Sequence, residues 1–187
     1  MNQYMNLVGL NAKKASIKKI NTIIKNKVLK RYVVLINKKK DLIFKANAKD
    51  IKFALKKKLK SNLIERLIIN EKKLSNIKSS IKKIIKLKDP VDKTLEKWSR
   101  PNGLKINKVS IPIGVIGVIY ESRPNVTSDV ACLCFKSGNA VILKGGSEAI
   151  NTNKILSGLF KKALKDFKVD DNFIQFLDSR DRKTVDY

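Results

Sequence analysis

The amino-acid sequence predicts an α/β protein in which a helical N-terminal region precedes the βαβαβ start of a parallel sheet. Apolar residues recur at helical spacing through residues 1–100. Beyond residue 101, continuous β-branched runs alternate with segments of helical pattern. This alternation is typical of right-handed βαβ crossovers. We therefore expect a basic helical region over 1–100 and the first part of a nucleotide-binding α/β domain over 101–187.

The helical region is predicted from apolar stripes that each occupy one helix face. The stripes are Val28, Leu29, Tyr32, Val33 and Ile36; Leu63, Ile64, Leu67 and Ile68; and Ile77, Ile81, Ile84 and Ile85. Ser61 is placed to cap the second of these helices. Asn47, three residues before Asp50, is placed to cap a further helix.

Turn residues at 101–103 mark a change in the residue pattern, after which short predicted strands and helices alternate. The predicted elements are a strand over Leu104–Ile111, a strand over Gly114–Tyr120, a helix from Val126 that stops at Gly138, a strand over Ala140–Leu143, a helix over Ser147–Phe167, a strand over Phe173–Leu177, and a further loop or helix over Asp178–Tyr187. The run Gly114–Tyr120 is apolar throughout, which is typical of a strand covered on both faces.

The net charge of +26 raises the question of a nucleic-acid partner. Residues 1–100 carry 29 lysines and arginines against 7 acidic residues. Only 6 of the 42 basic residues are arginine, whose guanidinium can form two parallel hydrogen bonds to a phosphate or a base. Few aromatic residues lie among the lysines, so side chains on which bases could stack are scarce. We therefore favour a solvated surface, and a basic nucleic-acid-binding module is the alternative.

The apolar runs and the cysteine content bear on the compartment. The run Gly114–Tyr120 is far too short to span a bilayer, and the N-terminus lacks the pattern of a signal peptide. Two cysteines do not make a disulfide framework. These features predict a cytoplasmic protein without a membrane segment.

Parallel sheets bind ligands beyond the carboxyl ends of their strands. The segments 120–127 and 144–148 each follow a predicted strand. We therefore expect both segments to lie along one edge of the sheet and to form the candidate site.

Asn125 has two interpretations. It follows a strand and precedes a helix, so its side chain is suited to capping that helix. Alternatively, its neutral amide is a donor for an oxyanion that develops during a reaction. The pattern by itself favours the cap.

Lys144, Gly145, Gly146, Ser147 and Glu148 form the second candidate segment. The two glycines allow a ligand to approach the backbone, and the helix that follows attracts phosphate at its N-terminus. The alternative is an ordinary loop in which Ser147 caps the helix. The spacing does not match a phosphate-binding P-loop.

Cys132 and Cys134 are predicted to be buried core residues. The chain has no histidine and no second cysteine pair, so a zinc site is not expected. A nucleophilic cysteine also needs an activating base or a positive environment, and no base is found nearby in the sequence.

Two long runs resemble γ-glutamyl phosphate reductase, also called glutamate-5-semialdehyde dehydrogenase. They are VSIPIGVIGVIYESRPNVT at 109–127 and LCFKSGNAVILKGGSEA at 133–149, and the run RDRKTV at 180–185 is similar as well. The resemblance implies a Rossmann-like sheet of the aldehyde dehydrogenase fold, truncated here to the N-terminal portion. It also implies NADPH-dependent reduction of L-glutamate 5-phosphate to L-glutamate 5-semialdehyde and phosphate in proline biosynthesis, through attack of a cysteine thiolate.

The resemblance assigns roles to particular residues. Asn125 matches the oxyanion donor of the superfamily, and Lys144 matches a lysine that contacts the adenosine ribose. Ser147 or Glu148 falls where an acidic residue often holds ribose hydroxyls, and a small Ser147 leaves room for the 2′-phosphate of NADPH. The family also implies a homo-oligomer and glutamate 5-kinase as the pathway neighbour.

The nucleophilic cysteine of the family is absent from this chain, because neither Cys132 nor Cys134 matches it. We therefore expect the catalytic domain to be missing and these 187 residues to be inactive alone. A pseudoenzyme fragment that retains cofactor binding is a further alternative.

Overall fold

The structure is a computed structural model and describes residues 2–121 and 123–179. The N-terminal helices are α1 (Asn2–Ser16), α2 (Thr22–Lys38), α3 (Lys40–Lys56), α4 (Ser61–Leu67) and α5 (Glu71–Lys86). The elements that follow are β1 (Thr94–Ser99), β2 (Lys105–Val109), β3 (Val115–Tyr120), α6 (Pro124–Lys136), β4 (Ala140–Gly145), α7 (Ile150–Lys165) and β5 (Ile174–Phe176). Single turns of 3₁₀-helix precede α7 and β5. The run at 180–185 lies outside the described residues, as does most of the element predicted for 178–187.

The predicted apolar stripes become the buried faces of the helices. In α2 the buried apolar side chains are Val28, Leu29, Tyr32, Leu35 and Ile36. In α5 they are Leu74, Ile77, Ile81 and Ile84. Each helix starts at an asparagine whose side chain accepts a backbone N–H: Asn21 from Ile24 at 2.9 Å and Asn70 from Lys73 at 2.8 Å. Periodicity and caps therefore set both helices locally.

Two predicted caps are wrong. Ser61 is the first residue of α4, and its side chain makes no cap hydrogen bond. Asn47 lies in the middle of α3, where it is buried. Its amide donates to the carbonyl of Leu67 at 2.8 Å and accepts from the N–H of Ile69 at 2.8 Å, so it holds the connection after α4. An asparagine side chain forms hydrogen bonds with backbone groups that lack other partners. Here those groups belong to the connection between α4 and α5 and not to the start of a helix.

The prediction of a helical region over 1–100 is wrong at its end. Thr94–Ser99 forms β1, which pairs antiparallel with β2. The predicted turn between them is confirmed, with Gly103 at φ +85°. Every residue of β1 is exposed, so the strand carries no buried stripe that a periodicity argument could detect.

The predicted parallel pairing of β3 and β4 is confirmed. The register runs from Val115 opposite Ala140 to Tyr120 opposite Gly145. Strand β5 pairs parallel with the other side of β4, which gives the order β3-β4-β5. β4 is buried along most of its length, whereas β3 is only partly covered, with Ile119 66% exposed. The prediction that β3 is covered on both faces therefore does not hold within the described chain.

The two crossover helices follow the prediction with small shifts. Helix α6 begins at Pro124, whose fixed φ suits a first helical position. It ends before Gly138, which has φ +77° as predicted for a C-terminal stop. A 3₁₀ turn over Ser147–Ala149 leads into α7.

One hydrophobic core runs through both halves of the chain. Tyr32 of α2 packs on Phe160 of α7 with ring centroids 4.8 Å apart. Phe135 of α6 meets Phe160 and Phe173 edge to face, at 5.7 and 5.6 Å. The helical region therefore covers the crossover helices and fixes the positions of the loops at the sheet edge.

Candidate functional site

The carboxyl ends of β3 and β4 meet as predicted. Tyr120 pairs with Gly145 in the last register position. The hydroxyl of Tyr120 shares a 2.7 Å hydrogen bond with Thr127 on α6, and Thr127 Oγ1 donates to Asn153 Oδ1 on α7 at 2.9 Å. Burial raises the pKa of Tyr120 to about 12, with the Thr127 hydrogen bond acting the other way, so the phenol stays protonated. These hydrogen bonds connect β3, α6 and α7 at the carboxyl edge of the sheet.

Asn125 is the second residue of α6 and does not cap it. The residue before the helix is Arg123, whose side chain makes no cap hydrogen bond. Pro124 removes one of those N–H groups, which reduces the need for a cap. The Asn125 side chain is exposed, and its Nδ2 donates to Asp129 Oδ2 at 3.4 Å. The capping interpretation is therefore wrong, and the Asn125 amide is exposed at the first turn of α6.

Lys144 is 8% exposed, so most of its side chain is covered. Its ammonium donates to the carbonyl oxygen of Ser179, in the segment that follows β5. The lysine thus links the end of β4 to the segment that follows β5. Within the described chain the ammonium lies at the edge of the sheet.

The two glycines of the second segment leave space that neighbouring side chains occupy. A Cβ on Gly145 would lie 2.3 Å from Asn153 Nδ2 and 3.1 Å from the Tyr120 ring. A Cβ on Gly146 would lie 2.1 Å from the Glu148 carboxylate, which folds back over that residue. The Ser147 hydroxyl donates to Glu148 at 3.3 Å and caps no helix.

The N-terminus of α7 is already occupied by a carboxylate from another helix. Asp50 of α3 accepts from the N–H groups of Asn151 and Thr152 at 3.1 and 2.8 Å. It also accepts from the side chains of the same two residues at 2.7 and 2.6 Å. An internal anion therefore takes two of the N–H groups with which this helix N-terminus was expected to attract a phosphate, and the phosphate interpretation of the segment stays a prediction.

Both cysteines are buried in the core, as predicted. Burial raises the pKa of Cys132 well above its ordinary value, and the nearby Asp129 acts in the same direction. Burial also raises the pKa of Cys134, to about 11. A thiolate is disfavoured at both positions, so neither residue is suited to nucleophilic attack. Among the described residues, no group of three or more potential metal ligands lies close together.

Comparison with family models finds no match. The γ-glutamyl phosphate reductase of Persephonella marina is 43% identical over 171 residues, which are 91% of this chain and 38% of that protein. The relative from Hydrogenobaculum sp. is 46% identical over 167 residues, 89% of this chain and 38% of that protein. The crystal structure of the Thermotoga maritima γ-glutamyl phosphate reductase superposes with a TM-score of 0.93 at 34% identity, covering 97% of this chain and 44% of that one.

The chain is similar to the N-terminal part of the γ-glutamyl phosphate reductases. It spans less than half of the length of these relatives. A putative aldehyde dehydrogenase from Bacillus subtilis superposes with a TM-score of 0.68 at 15% identity, which shows the shared fold. The predicted family and the aldehyde dehydrogenase-like fold are therefore confirmed.

The described part of this chain also contains a cavity that no sequence pattern predicted. A space of about 320 Å³ lies between the connection of α4 to α5 and the first turns of α6. Asn125 lines it together with Arg66, Lys73 and Asp129. Arg66 and Lys73 are distant from Asn125 in sequence, so no local pattern could have brought them together.

Among residues 2–121 and 123–179 of this chain, no helix has the length and apolarity needed to cross a membrane.

Proposed function

We propose that the chain takes part in NADPH-dependent reduction of L-glutamate 5-phosphate to L-glutamate 5-semialdehyde and phosphate, in proline biosynthesis. The observation that carries this proposal is the shared carboxyl edge of β3 and β4, from which Asn125 and Lys144 extend. The relatives named γ-glutamyl phosphate reductase support the same reaction. A cytoplasmic location, a homo-oligomer and supply of the acyl phosphate by glutamate 5-kinase belong to the same proposal.

Asn125 is the proposed oxyanion donor. Attack on an acyl phosphate places negative charge on the carbonyl oxygen, and a preorganised amide N–H stabilises that charge. The Asn125 side chain is exposed and caps no helix, so its amide is available to a substrate. Its hydrogen bond to Asp129 is long, at 3.4 Å, so the cost of exchanging it for a substrate oxygen is small.

The proposed cofactor segment is Lys144, Gly145, Gly146, Ser147 and Glu148. The Lys144 ammonium and the Glu148 carboxylate at the carboxyl edge of the sheet fit the hydroxyls of an adenosine ribose. In addition, the buried Nδ2 of Asn153, which lies beside Gly145, has no hydrogen-bond partner among the described residues and could donate to a ligand. The nicotinamide supplies the hydride for the reduction. The small Ser147 side chain supports a 2′-phosphate, and hence NADPH over NADH.

The reaction requires a thiolate that these 187 residues do not supply. Cys132 and Cys134 are the only cysteines, and both are buried with raised pKa values. We therefore propose that the chain by itself is inactive. Steady loss of NADPH absorbance with L-glutamate, ATP and glutamate 5-kinase would contradict this part of the proposal.

The cofactor assignment is tested with the adenosine half of the dinucleotide. In calorimetric titrations of the 187-residue chain, 2′,5′-ADP should bind more tightly than 5′-AMP. Lys144→Ala should weaken binding of both nucleotides about tenfold. Lys154→Ala is the matched control, since that lysine is exposed and pairs with Asp178. Equal binding of the two nucleotides would refute the preference for NADPH, and no binding of either would refute the cofactor site.

A further inference from the structure

The cavity beside Asn125 has the size of a small-metabolite site. Its volume of about 320 Å³ falls at the lower end of the range for ligand pockets. Apolar walls come from Ile68, Ile69 and Ile77, and polar groups come from Arg66 and Asp129, which carry opposite charges. A ligand that fits such a lining has a short aliphatic chain and carries both charges.

Asp129 has an unsatisfied oxygen. Its Oδ1 is buried and has no hydrogen-bond partner among the described residues. Among the described residues, its Oδ2 receives only the 3.4 Å contact from Asn125 Nδ2. A covered carboxylate oxygen without a partner costs free energy, and a bound cation would remove that cost.

Arg66 is the complementary group. Its guanidinium has no ion-pair partner in the part of the chain that the structure describes. The neighbouring Lys73 ammonium instead donates to the backbone carbonyl of Glu65 at 2.6 Å. Arginine presents two parallel N–H donors, which match a carboxylate.

The position of Asp129 would be unfavourable for catalysis unless its charge were neutralised. A carboxylate next to the Asn125 amide opposes the negative charge that the amide is proposed to stabilise. An ammonium group on the substrate would cancel that opposition. Only a substrate carrying such a group would then react efficiently.

The spacing of the two residues also fits. Asn125 Nδ2 and Asp129 Oδ2 lie 3.4 Å apart, and each would lie about 2.9 Å from the ligand atom that it binds, so the two ligand atoms can be about 5 Å apart. In a glutamyl group, four bonds of about 1.5 Å separate the acyl carbon from the α-nitrogen, which is about 5 Å when extended. One glutamyl chain can therefore place its acyl oxygen at Asn125 and its ammonium at Asp129.

We propose that this cavity binds the amino-acid head group of the acyl phosphate substrate, with Asp129 receiving the α-ammonium and Arg66 the α-carboxylate. This inference rests on the proposed function, because it takes Asn125 as the residue that faces the acyl carbon. It assigns substrate selectivity to two residues that lie outside the sheet edge.

The test uses three ligands that differ by one group each. L-Glutamate carries both charged head groups, glutarate lacks the α-ammonium, and 4-aminobutyrate lacks the α-carboxylate. In titrations of the 187-residue chain, L-glutamate should bind about tenfold more tightly than either analogue. Equal affinities for all three, or no binding of L-glutamate, would overturn the proposal.

Two variants assign the groups. Asp129→Asn should abolish the preference for L-glutamate over glutarate, because it weakens binding of L-glutamate and does not weaken binding of glutarate. Arg66→Gln should abolish the preference over 4-aminobutyrate. The matched controls are Asp92→Asn and Arg100→Gln, which lie at exposed positions away from the cavity. A uniform loss of affinity for every ligand in Asp129→Asn would indicate a structural role and overturn its assignment.

The outcome is separable from that of the proposed function. If 2′,5′-ADP fails to bind but the head-group preferences appear, the cavity is an amino-acid site and the reductase proposal fails. If the nucleotide binds as expected and the preferences are absent, only the present inference fails. Arg66 is exposed, so its variant remains informative even if Asp129→Asn does not fold.

Discussion

At the scale of single residues, Asp50 shows how one side chain can organise a distant helix. It is 1% exposed and accepts four hydrogen bonds, all from Asn151 and Thr152. These bonds satisfy N–H groups that the start of α7 leaves free. Asp50 therefore acts as a cap supplied by another helix, and it positions the loop that follows β4.

Replacing Asp50 by alanine should destabilise the protein by about 3 kcal/mol, because buried donors at the start of α7 would lose their acceptor. The free energy of unfolding is measured by urea denaturation followed by circular dichroism. Glu96→Ala is the control, since that carboxylate is 61% exposed, and should change stability by less than about 0.5 kcal/mol. A similar small effect at Asp50 would show that water replaces its hydrogen bonds.

The buried thiol of Cys134 makes stability depend on alkaline pH. Its pKa is about 11 in the folded chain against an ordinary value of 9.0, because burial disfavours the thiolate. Between these values the unfolded chain loses a proton that the folded chain keeps. The stability is therefore fully present below about pH 9 and falls as pH rises towards 11.

Urea midpoints at pH 8 and pH 10 measure this dependence. The midpoint should fall between the two pH values, and it should fall less in Cys134→Ser than in the unsubstituted protein. An equal fall in both proteins would show that Cys134 does not contribute.

At the scale of elements, the end of β4 depends on close packing against β3 and α7. Gly145 leaves space for Asn153 and Tyr120, and no other residue fits without displacing one of them. Gly158 in the middle of α7 has nothing within 4 Å of the position that a Cβ would take. The two glycines therefore have different roles, although both lie in regular elements.

Alanine substitutions at the two glycines should have opposite effects. Gly145→Ala should destabilise the protein by about 2 kcal/mol, because the added methyl group overpacks the sheet edge. Gly158→Ala should stabilise it by about 1 kcal/mol, because alanine favours the helix. Thermal unfolding of both variants checks the signs, and stabilisation by Gly145→Ala would mean that Asn153 moves aside freely.

Element prediction succeeded where burial imposes a pattern and failed where it does not. The stripe of Ile77, Ile81 and Ile84 predicted α5 because one face is buried. Strand β1 was missed because it is exposed along its length and is stabilised by its backbone ladder to β2. A ladder depends on the partner strand, which local sequence does not encode.

At the scale of the whole molecule, the helical region and the α/β layers share their core. The Tyr32 hydroxyl shares a 2.8 Å hydrogen bond with Ser128 and donates to the Leu156 carbonyl at 3.1 Å. Lys25 of α2 pairs with Asp89 at 2.9 Å with little exposure of either side chain. The division into 1–100 and 101–187 stays a prediction, and this packing favours one cooperative unit.

We expect the full chain to unfold in a single transition and residues 101–187 alone to show no cooperative transition. Without α2 and α5, the apolar faces of α6 and α7 would be open to water. Near- and far-ultraviolet circular dichroism should give coincident midpoints for the full chain. A sigmoidal transition of the isolated 101–187 segment would instead support two domains.

The preference for a solvated surface over a nucleic-acid interface also stays a prediction.

The sequence by itself determined the fold class, the parallel pairing of β3 and β4, and the edge at which Asn125 and Lys144 lie. These features follow from local periodicity and from the fixed hand of βαβ crossovers. Only the tertiary structure decided that Asn125 caps no helix, that Asp50 occupies the N-terminus of α7, and that Arg66 and Asp129 line one cavity. Those features depend on which side chains packing brings together across long sequence separations, and a buried polar group takes whichever partner lies nearest in space.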